Sequence, residues 1–349
     1  MTQKCSISHI LPALLLVGVL VSPSAAQSVP TVTGSLHNLV GELTSRQYFL
    51  RHPHSDPRPY IEPSFALATL HRASRHIAGG NVDEAARLAK QVDCEVVRFV
   101  DEETQQDYVL LREDLNTLSA PRGWGSYLYN PQAKVPALVE APHPLDDSNS
   151  AKVATMVFAE GAKGLLLAGA QRDKADVPDL VDSVFHQVHV AWTEAMGQVA
   201  VWQIHGFALE KHPFPRNAKA ILSTGGGDVV DEIVELNDRF TDRGLDSYAF
   251  NRLQPSNDIN KWINQGTPGL RFSSLAATKN EQGKHLRSVG GTFVHVELER
   301  SVRGNADQRR VAAEAIAEAM KQSADKKPTG ESEMPTERVS QRPRRAPRA

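Results

Sequence analysis

Three stretches decide how this chain folds: Ala137-Leu138-Val139-Glu140-Ala141-Pro142-His143, Val199-Ala200-Val201-Trp202-Gln203-Ile204-His205 and Thr292-Phe293-Val294-His295-Val296-Glu297. Each is an apolar run of strand length that ends in a residue able to bind a metal or move a proton. A core has no need of a His or a Glu at the end of each of its strands. In an open α/β sheet, by contrast, ligands bind at the carboxyl ends of the strands. The three runs therefore predict a sheet and, at one end of it, a site containing His143, His205 and Glu297.

Working outward, strands and helices alternate after residue 135. Strand 137–142 leads to a helix over 149–160, and the apolar run 163–170 is a buried strand. A helix carrying Val181, Val184, Phe185 and Val188 follows, then strands over 198–204 and 219–223, and a helix from Asp228 to Arg239. A long loop separates these from strand 292–298 and a last helix over about 306–321. This alternation predicts an α/β fold of three layers, αβα, with a mostly parallel mixed sheet. Upstream, Val96–Val100, Tyr108–Leu111 and Arg122–Tyr129 are expected as strands, so the α/β domain is placed at 93–322. Residues 27–92 are expected to form a small helical region: Leu67, Leu70, Ala73 and Ile77 recur at helical spacing, Gly79-Gly80 ends that helix, and 83–91 forms another.

The termini carry different signals. Lys4, an apolar run from Ile10 to Val21 and the small residues Ser24 and Ala26 predict a signal peptide over 1–26 and an exported protein, periplasmic or secreted. The run is too short to span a bilayer comfortably, which takes about 20 residues, and no transmembrane segment is expected after cleavage. Cys5 leaves with the leader, so Cys94 remains alone and no intrachain disulfide is expected. The tail over 323–349 lacks apolar periodicity, ends in a basic run and is expected to be disordered. The 349 residues have a net charge of −2 and only 6% aromatics, which excludes the basic field and stacking platform of a nucleic-acid binder. Nothing in the sequence sets an oligomeric state.

Chemistry concentrates in three motifs. In Pro142-His143-Pro144-Leu145-Asp146-Asp147 an imidazole and a carboxylate leave a buried strand on one turn, a pattern suited to a hydrolytic metal; Asp146 and Asp147 are equally suited to cap the helix that begins near Asn149. In Gln203-Ile204-His205-Gly206-Phe207 the glycine is expected to turn the backbone just after the strand. In Val294 to Arg303, His295, Glu297 and Glu299 share one strand face. A carboxylate such as Glu297 inside an apolar strand is costly unless paired, protonated or functional. Among weaker features, Gly225-Gly226-Gly227 suits a tight strand-to-helix turn, His186 and His189 lie three apart on a helix, and Asn280 and Gln282 are placed to contact a substrate.

The order of Pro-His and Asp, a strand ending His-Gly, and Val-Glu-Leu with Arg shortly after resembles the zinc carboxypeptidase-like amidohydrolases, in particular poly-γ-glutamate hydrolases and N-formylglutamate amidohydrolases, over about 135–305. Asp147, Ser150, Val153 and Ala154 match the spacing of the first motif, with Asp where relatives usually carry Glu. The resemblance implies a phosphorylase/hydrolase-like fold and a Zn²⁺ ion held by His143, Asp147 and His205, with Asp146 as alternate ligand. It further implies Glu297 as general base, Arg172 or else Arg303 as the cation facing the oxyanion or a substrate carboxylate, and Asp176 as a residue orienting a ligand. The expected reaction is hydrolysis of an amide next to a carboxylate, in an N-acyl amino acid, a γ-glutamyl linkage or a cell-wall peptide. Two rivals are a non-catalytic envelope protein that binds a peptide or polymer, which the Asp-for-Glu departure favours, and a metal-dependent hydrolase of another bond.

Overall fold

A computed structural model describes residues 29–45, 60–118 and 120–326. The expected leader and most of the expected tail lie outside these residues. Among them, ten strands form one sheet: β1 (Thr31–Gly34), β2 (Cys94–Asp101), β3 (Asp107–Glu113), β4 (Ser126–Tyr129), β5 (Val135–Ala141), β6 (Ala162–Leu167), β7 (Ala200–Phe207), β8 (Ala220–Ser223), β9 (Ser247–Ala249) and β10 (Thr292–Glu299). Their spatial order is β1-β2-β3-β4-β6-β5-β7-β10-β8-β9. The block β6-β5-β7-β10 is parallel throughout, flanked by an antiparallel run through β2, β3 and β4 on one side and by antiparallel β8 on the other. The fold is thus α/β with a mixed, mostly parallel sheet.

Helices cover both faces. On one lie α1 (Leu36–Leu43), α4 (Ser150–Ala159), α6 (Asp231–Asp242) and the last helix α10 (Ala306–Asp325), whose Val40, Phe158, Phe240 and Ile316 pack with Val139, Trp202 and Val296. On the other lie α2 (Leu67–Ala78), α3 (Val82–Lys90), α5 (Val184–Met196) and α8 (Glu281–Val289), whose Leu70, Ala85, Trp192 and Leu286 pack with Leu138, Leu166 and Val201. The remaining α-helices among the described residues are α7 (Asp258–Asn264) and the short α9 (Arg300–Gly304). No helix among the described residues is long and apolar enough to cross a membrane.

Several boundaries differ from those expected. The stretch 122–125 is not strand: Glu113 accepts the backbone N–H groups of Arg122, Gly123 and Trp124 at 2.8, 3.2 and 3.3 Å, taking donors a ladder would need, so β4 begins at Ser126. The expected long loop contains β9, α7 and α8. Residues 27–92 are not wholly helical, since β1 joins the sheet beside β2. Residues 323–325 belong to α10 rather than to the tail. Cys94 is buried on β2, and burial pushes its thiol well above the ordinary value, so it behaves as a packing residue.

Strand parity in the parallel block positions the site. Val139, Trp202, Ile204, Val294 and Val296 face the α4/α10 layer. The alternating residues face the α5 layer, where Leu138, Val201 and Phe293 are apolar. Further along the same face come Glu140, Gln203 and His295 in one row of the register, then His205 beside Glu297 in the next. One face of the sheet therefore changes from apolar to polar towards the strands' carboxyl ends.

Candidate metal centre

His143 follows the end of β5 by two residues. The backbone N–H groups of Asp146 and Asp147 both return to its carbonyl, at 3.2 and 2.8 Å, making a single tight turn. That turn brings Asp147 back over the His143 ring, with Oδ2 3.6 Å from Nδ1. Asp146 goes elsewhere and accepts the Arg172 backbone N–H at 2.8 Å. Neither carboxylate caps α4, whose preceding residue Asn149 is left-handed at φ 63° and makes no side-chain cap. Asp147 Oδ2 instead accepts the Gly206 N–H at 3.0 Å, which ties the turn to β7.

His205 comes to the same point from β7. Its Nδ1 lies 3.1 Å from His143 Nδ1 and 3.7 Å from Asp147 Oδ2. The other nitrogen of each ring has a partner: His143 Nε2 meets Asp176 Oδ1 at 2.7 Å, and His205 Nε2 meets Gln203 Oε1 at 2.8 Å. Both partners are acceptors, so both Nε2 atoms carry protons and the two Nδ1 lone pairs face each other beside a carboxylate oxygen.

Two opposed lone pairs and an anion call for a positive charge. The Arg172 guanidinium brings one from the solvent side, with Nη2 against His143 Nδ1 and 3.8 Å from Asp147 Oδ2, but none stands between the two rings. A proton on His143 can supply it: burial disfavours the charged ring, but the contacts with Asp147 and Asp176 outweigh burial and raise its pKa above the usual histidine value. A divalent cation can supply it better. Ligand atoms at the corners of a zinc tetrahedron with bonds of 2.0–2.1 Å stand about 3.3 Å apart, and the observed 3.1, 3.6 and 3.7 Å bracket that spacing. The donor set, two imidazoles and a carboxylate, suits zinc, and the pairing of His143 with Asp176 is a usual support for a ligating His. The residues present fit the ion.

Glu297 and His295 complete the surroundings. With His205 they form a second buried trio whose ligand atoms lie within 4.8 Å of one another. His205 has one lone pair to give, however, and it faces His143 and Asp147, so the second trio lacks its third donor. Glu297 Oε2 and His295 Nδ1 are buried without hydrogen-bond partners. Burial, reinforced by Asp147, pushes the Glu297 carboxyl up to about 8. Burial, reinforced by His143, pushes His295 down to about 3, so it is neutral. His205 is likewise held well below its ordinary value by burial and by His295.

Arg172 reaches over the mouth of the site. Its Nε lies 3.3 Å from His143 Nε2, its Nη2 contacts His143 Nδ1, and Nη2 is 3.8 Å from Asp147 Oδ2, while its side chain stays 44% exposed. Arg303 plays a different part from the substrate contact expected of it. It is buried, and its guanidinium donates to the carbonyls of Leu298 at 3.0 Å, Phe207 at 3.3 Å and Ser148. Gly206 serves this packing rather than a turn: β7 runs through it to Phe207, and a Cβ there would sit 2.1 Å from Arg303 Cζ. Glu299, the last residue of β10, accepts the Ser301 N–H at 2.7 Å. Asn280 is buried and contacts Gln203, at 2.6 Å.

Behind His205 lies a buried polar group that the motifs did not reveal. Gln203 Nε2 donates to Glu140 Oε2 at 2.9 Å, and Glu140 Oε1 pairs with His189 Nδ1 at 2.7 Å. The available signal was a Glu and a Gln inside two runs otherwise read as core. Their partners come from α5 and from the turn before α8, which spacing along the chain does not disclose.

No protein-family model and no curated protein matches the sequence. Among solved structures the chain is similar to a bacteriophage poly-γ-glutamate hydrolase, at 14% identity over 55% of this chain and 86% of that one, with a TM-score of 0.30. It is also similar to a gene product of Agrobacterium tumefaciens, at 14% identity over 55% and 91% with a TM-score of 0.35. A third similarity is to the LapA aminopeptidase of Legionella pneumophila, at 8% identity over 93% and 81% with a TM-score of 0.31. At values this low the site stands on its own geometry.

Proposed function

We propose that this protein is an exported, zinc-dependent amidohydrolase that cleaves an amide bond next to a carboxylate. The observation that carries the proposal is the convergence of the His143 and His205 Nδ1 lone pairs with Asp147 Oδ2, beside the buried Glu297 carboxyl, whose Oε2 has no hydrogen-bond partner. His143, Asp147 and His205 would hold the ion. When bound, zinc supplies Lewis acidity and a water acidified to a pKa of about 7.

The chain's own groups account for the remaining work. Burial holds the Glu297 carboxyl at about 8, but with a cation beside it the carboxyl would ionise. It then accepts a proton from the attacking water and returns it to the leaving amine nitrogen as the C–N bond breaks. Asp176 holds the His143 ring in place through Nε2. Arg172, half exposed at the mouth, offers a planar fork for a substrate carboxylate or for the oxyanion that develops on the carbonyl oxygen. An exposed cation at the entrance and a desolvated base within favour a substrate that presents a carboxylate beside its amide, such as an N-acyl amino acid, a γ-glutamyl linkage or a cell-wall peptide. Export rests on the leader expected over 1–26.

The test is the metal content of the purified protein beside His205→Ala, followed by amide hydrolysis assays. About one zinc per chain, lost in the variant, together with turnover of a carboxylate-bearing amide, is the expected result. A metal-loaded protein active only on phosphoesters would instead support the rival bond class. A protein that takes up no zinc would leave His143 and His205 as structural residues.

A further inference from the structure

We propose that Gln203 and Asn280 are positioning residues that choose which nitrogen of His205 is free to bind metal. This inference rests on the zinc reading of the site. It follows from a chain of hydrogen bonds whose polarity is fixed at one end by the backbone. The Gly283 N–H can only donate, and it donates to Asn280 Oδ1 at 2.9 Å, so Asn280 must turn its Nδ2 the other way. That Nδ2 donates to Gln203 Oε1 at 2.6 Å. Gln203 therefore presents its oxygen on this side and its Nε2 on the other, where Glu140 Oε2 at 2.9 Å and Gln282 Oε1 at 3.4 Å both accept.

The oxygen so placed is also the partner of His205 Nε2, at 2.8 Å. An amide oxygen accepts, so the proton of neutral His205 sits on Nε2, leaving the Nδ1 lone pair facing His143 and Asp147. Were Gln203 reversed, its NH₂ group would face His205 Nε2 and Asn280 Nδ2, and its oxygen would face the Glu140 carboxylate. The contacts with Asn280, Glu140 and Gln282 would then set donor against donor or acceptor against acceptor, and only the opposite tautomer of His205 could meet the NH₂ group. His205, Gln203, Asn280 and Glu140 are all buried, so water cannot relieve such a mismatch. The chain positions rather than conducts, because a side-chain amide between His205 and Glu140 neither accepts nor releases a proton near neutral pH. The N-cap of α8 thus reaches the metal site through one glutamine.

Two variants test this. Gln203→Met removes the acceptor, and Asn280→Ser keeps an oxygen able to cap α8 while deleting the donor to Gln203. Zinc affinity by competition with a chelator is expected to fall about 10- to 100-fold in each, the usual effect of losing a ligand's outer partner, while the cooperative melt is kept in Asn280→Ser. Nitrogen-15 NMR of the His205 ring in the metal-free protein gives a second readout: protonated Nε2 in the wild type, and a mixture of tautomers in the variants. Zinc affinity within threefold of wild type in both variants, or a wild-type His205 protonated on Nδ1, would overturn the inference. Failure of the wild type to bind zinc would instead overturn the proposed function, and the metal-free spectra would still decide the tautomer.

Discussion

Glu297 on β10 stands directly beside His205 on β7 in the parallel register of the sheet. Neighbours across a parallel ladder point to the same face, so a carboxylate and a metal-capable imidazole are held side by side by backbone hydrogen bonds. A site built on two central strands is more rigid than one built on loops.

That rigidity gives Glu297→Gln a clear outcome. The variant keeps size and register, and the ion's three candidate ligands are untouched, so zinc content should match wild type. Amide turnover should fall by about 10²- to 10⁴-fold, the usual contribution of a positioned base. Residual activity within a few-fold of wild type, in protein carrying its full zinc, would remove Glu297 from the chemistry.

Arg172→Ala separates substrate recognition from metal binding. The side chain touches His143 and Asp147 from the solvent side but supplies no ligand. Zinc content should therefore be unchanged, while kcat/KM on a carboxylate-bearing amide should fall by about 10²- to 10³-fold, the scale for removing one donor from a developing oxyanion. The loss should be much smaller for the same amide with its carboxylate esterified if Arg172 grips the substrate, and equal for both if it faces only the oxyanion. Steady-state kinetics on the pair of substrates makes the distinction.

What was legible in the sequence, and what was not, has a physical pattern. His143, His205 and Glu297 could be read because each interrupts or ends an apolar run, and the carboxyl ends of the strands then placed them at one edge. The parts that escaped depend on contacts between distant segments. Glu140 meets His189 across 49 residues and Gln203 across 63, and Gln203 meets Asn280 across 77, so no local spacing announces them. Helix α8 was hidden because Gly283 in its first turn lowers helix propensity. The glycine is needed there, since a Cβ would sit 2.7 Å from Phe293. Gly206 was given the commonest role of a glycine, a turn, because nothing near it in the chain shows that Arg303 fills the space above it.

Acid should destabilise the protein through His186. Burial, reinforced by His189 and His285, holds its pKa down at about 3, against roughly 6.5 in an unfolded chain. A histidine depressed in this way contributes stability that is fully present above about pH 6.5 and lost as pH falls towards 3, because the unfolded state takes up the proton first. His186→Asn, which retains a hydrogen-bonding group and does not titrate, should show a shallower loss of denaturant midpoint between pH 6.5 and 4 than wild type. Parallel curves for the two proteins would mean that His186 does not contribute to the acid limb.

Gly206→Ala should be among the most disruptive single-methyl additions in the protein. The new Cβ would lie 2.1 Å from Arg303 Cζ and 2.3 Å from Nε, so the guanidinium must move. Moving it abandons the carbonyls of Leu298, Phe207 and Ser148, which it joins at the ends of β10 and β7 and at the turn below Asp147. Overpacking and an unsatisfied buried carbonyl each cost about 1–3 kcal/mol, so a loss of about 3 kcal/mol is expected by urea titration. The Gly206 N–H also donates to Asp147, so zinc affinity should fall with stability. The mechanism is checked by adding the methyl to an Arg303→Leu background: with the guanidinium gone, Gly206→Ala should cost much less than it does alone, giving a coupling energy well above 1 kcal/mol. Additive losses in that cycle would show that the methyl acts on the β7 backbone itself and that Arg303 is a bystander.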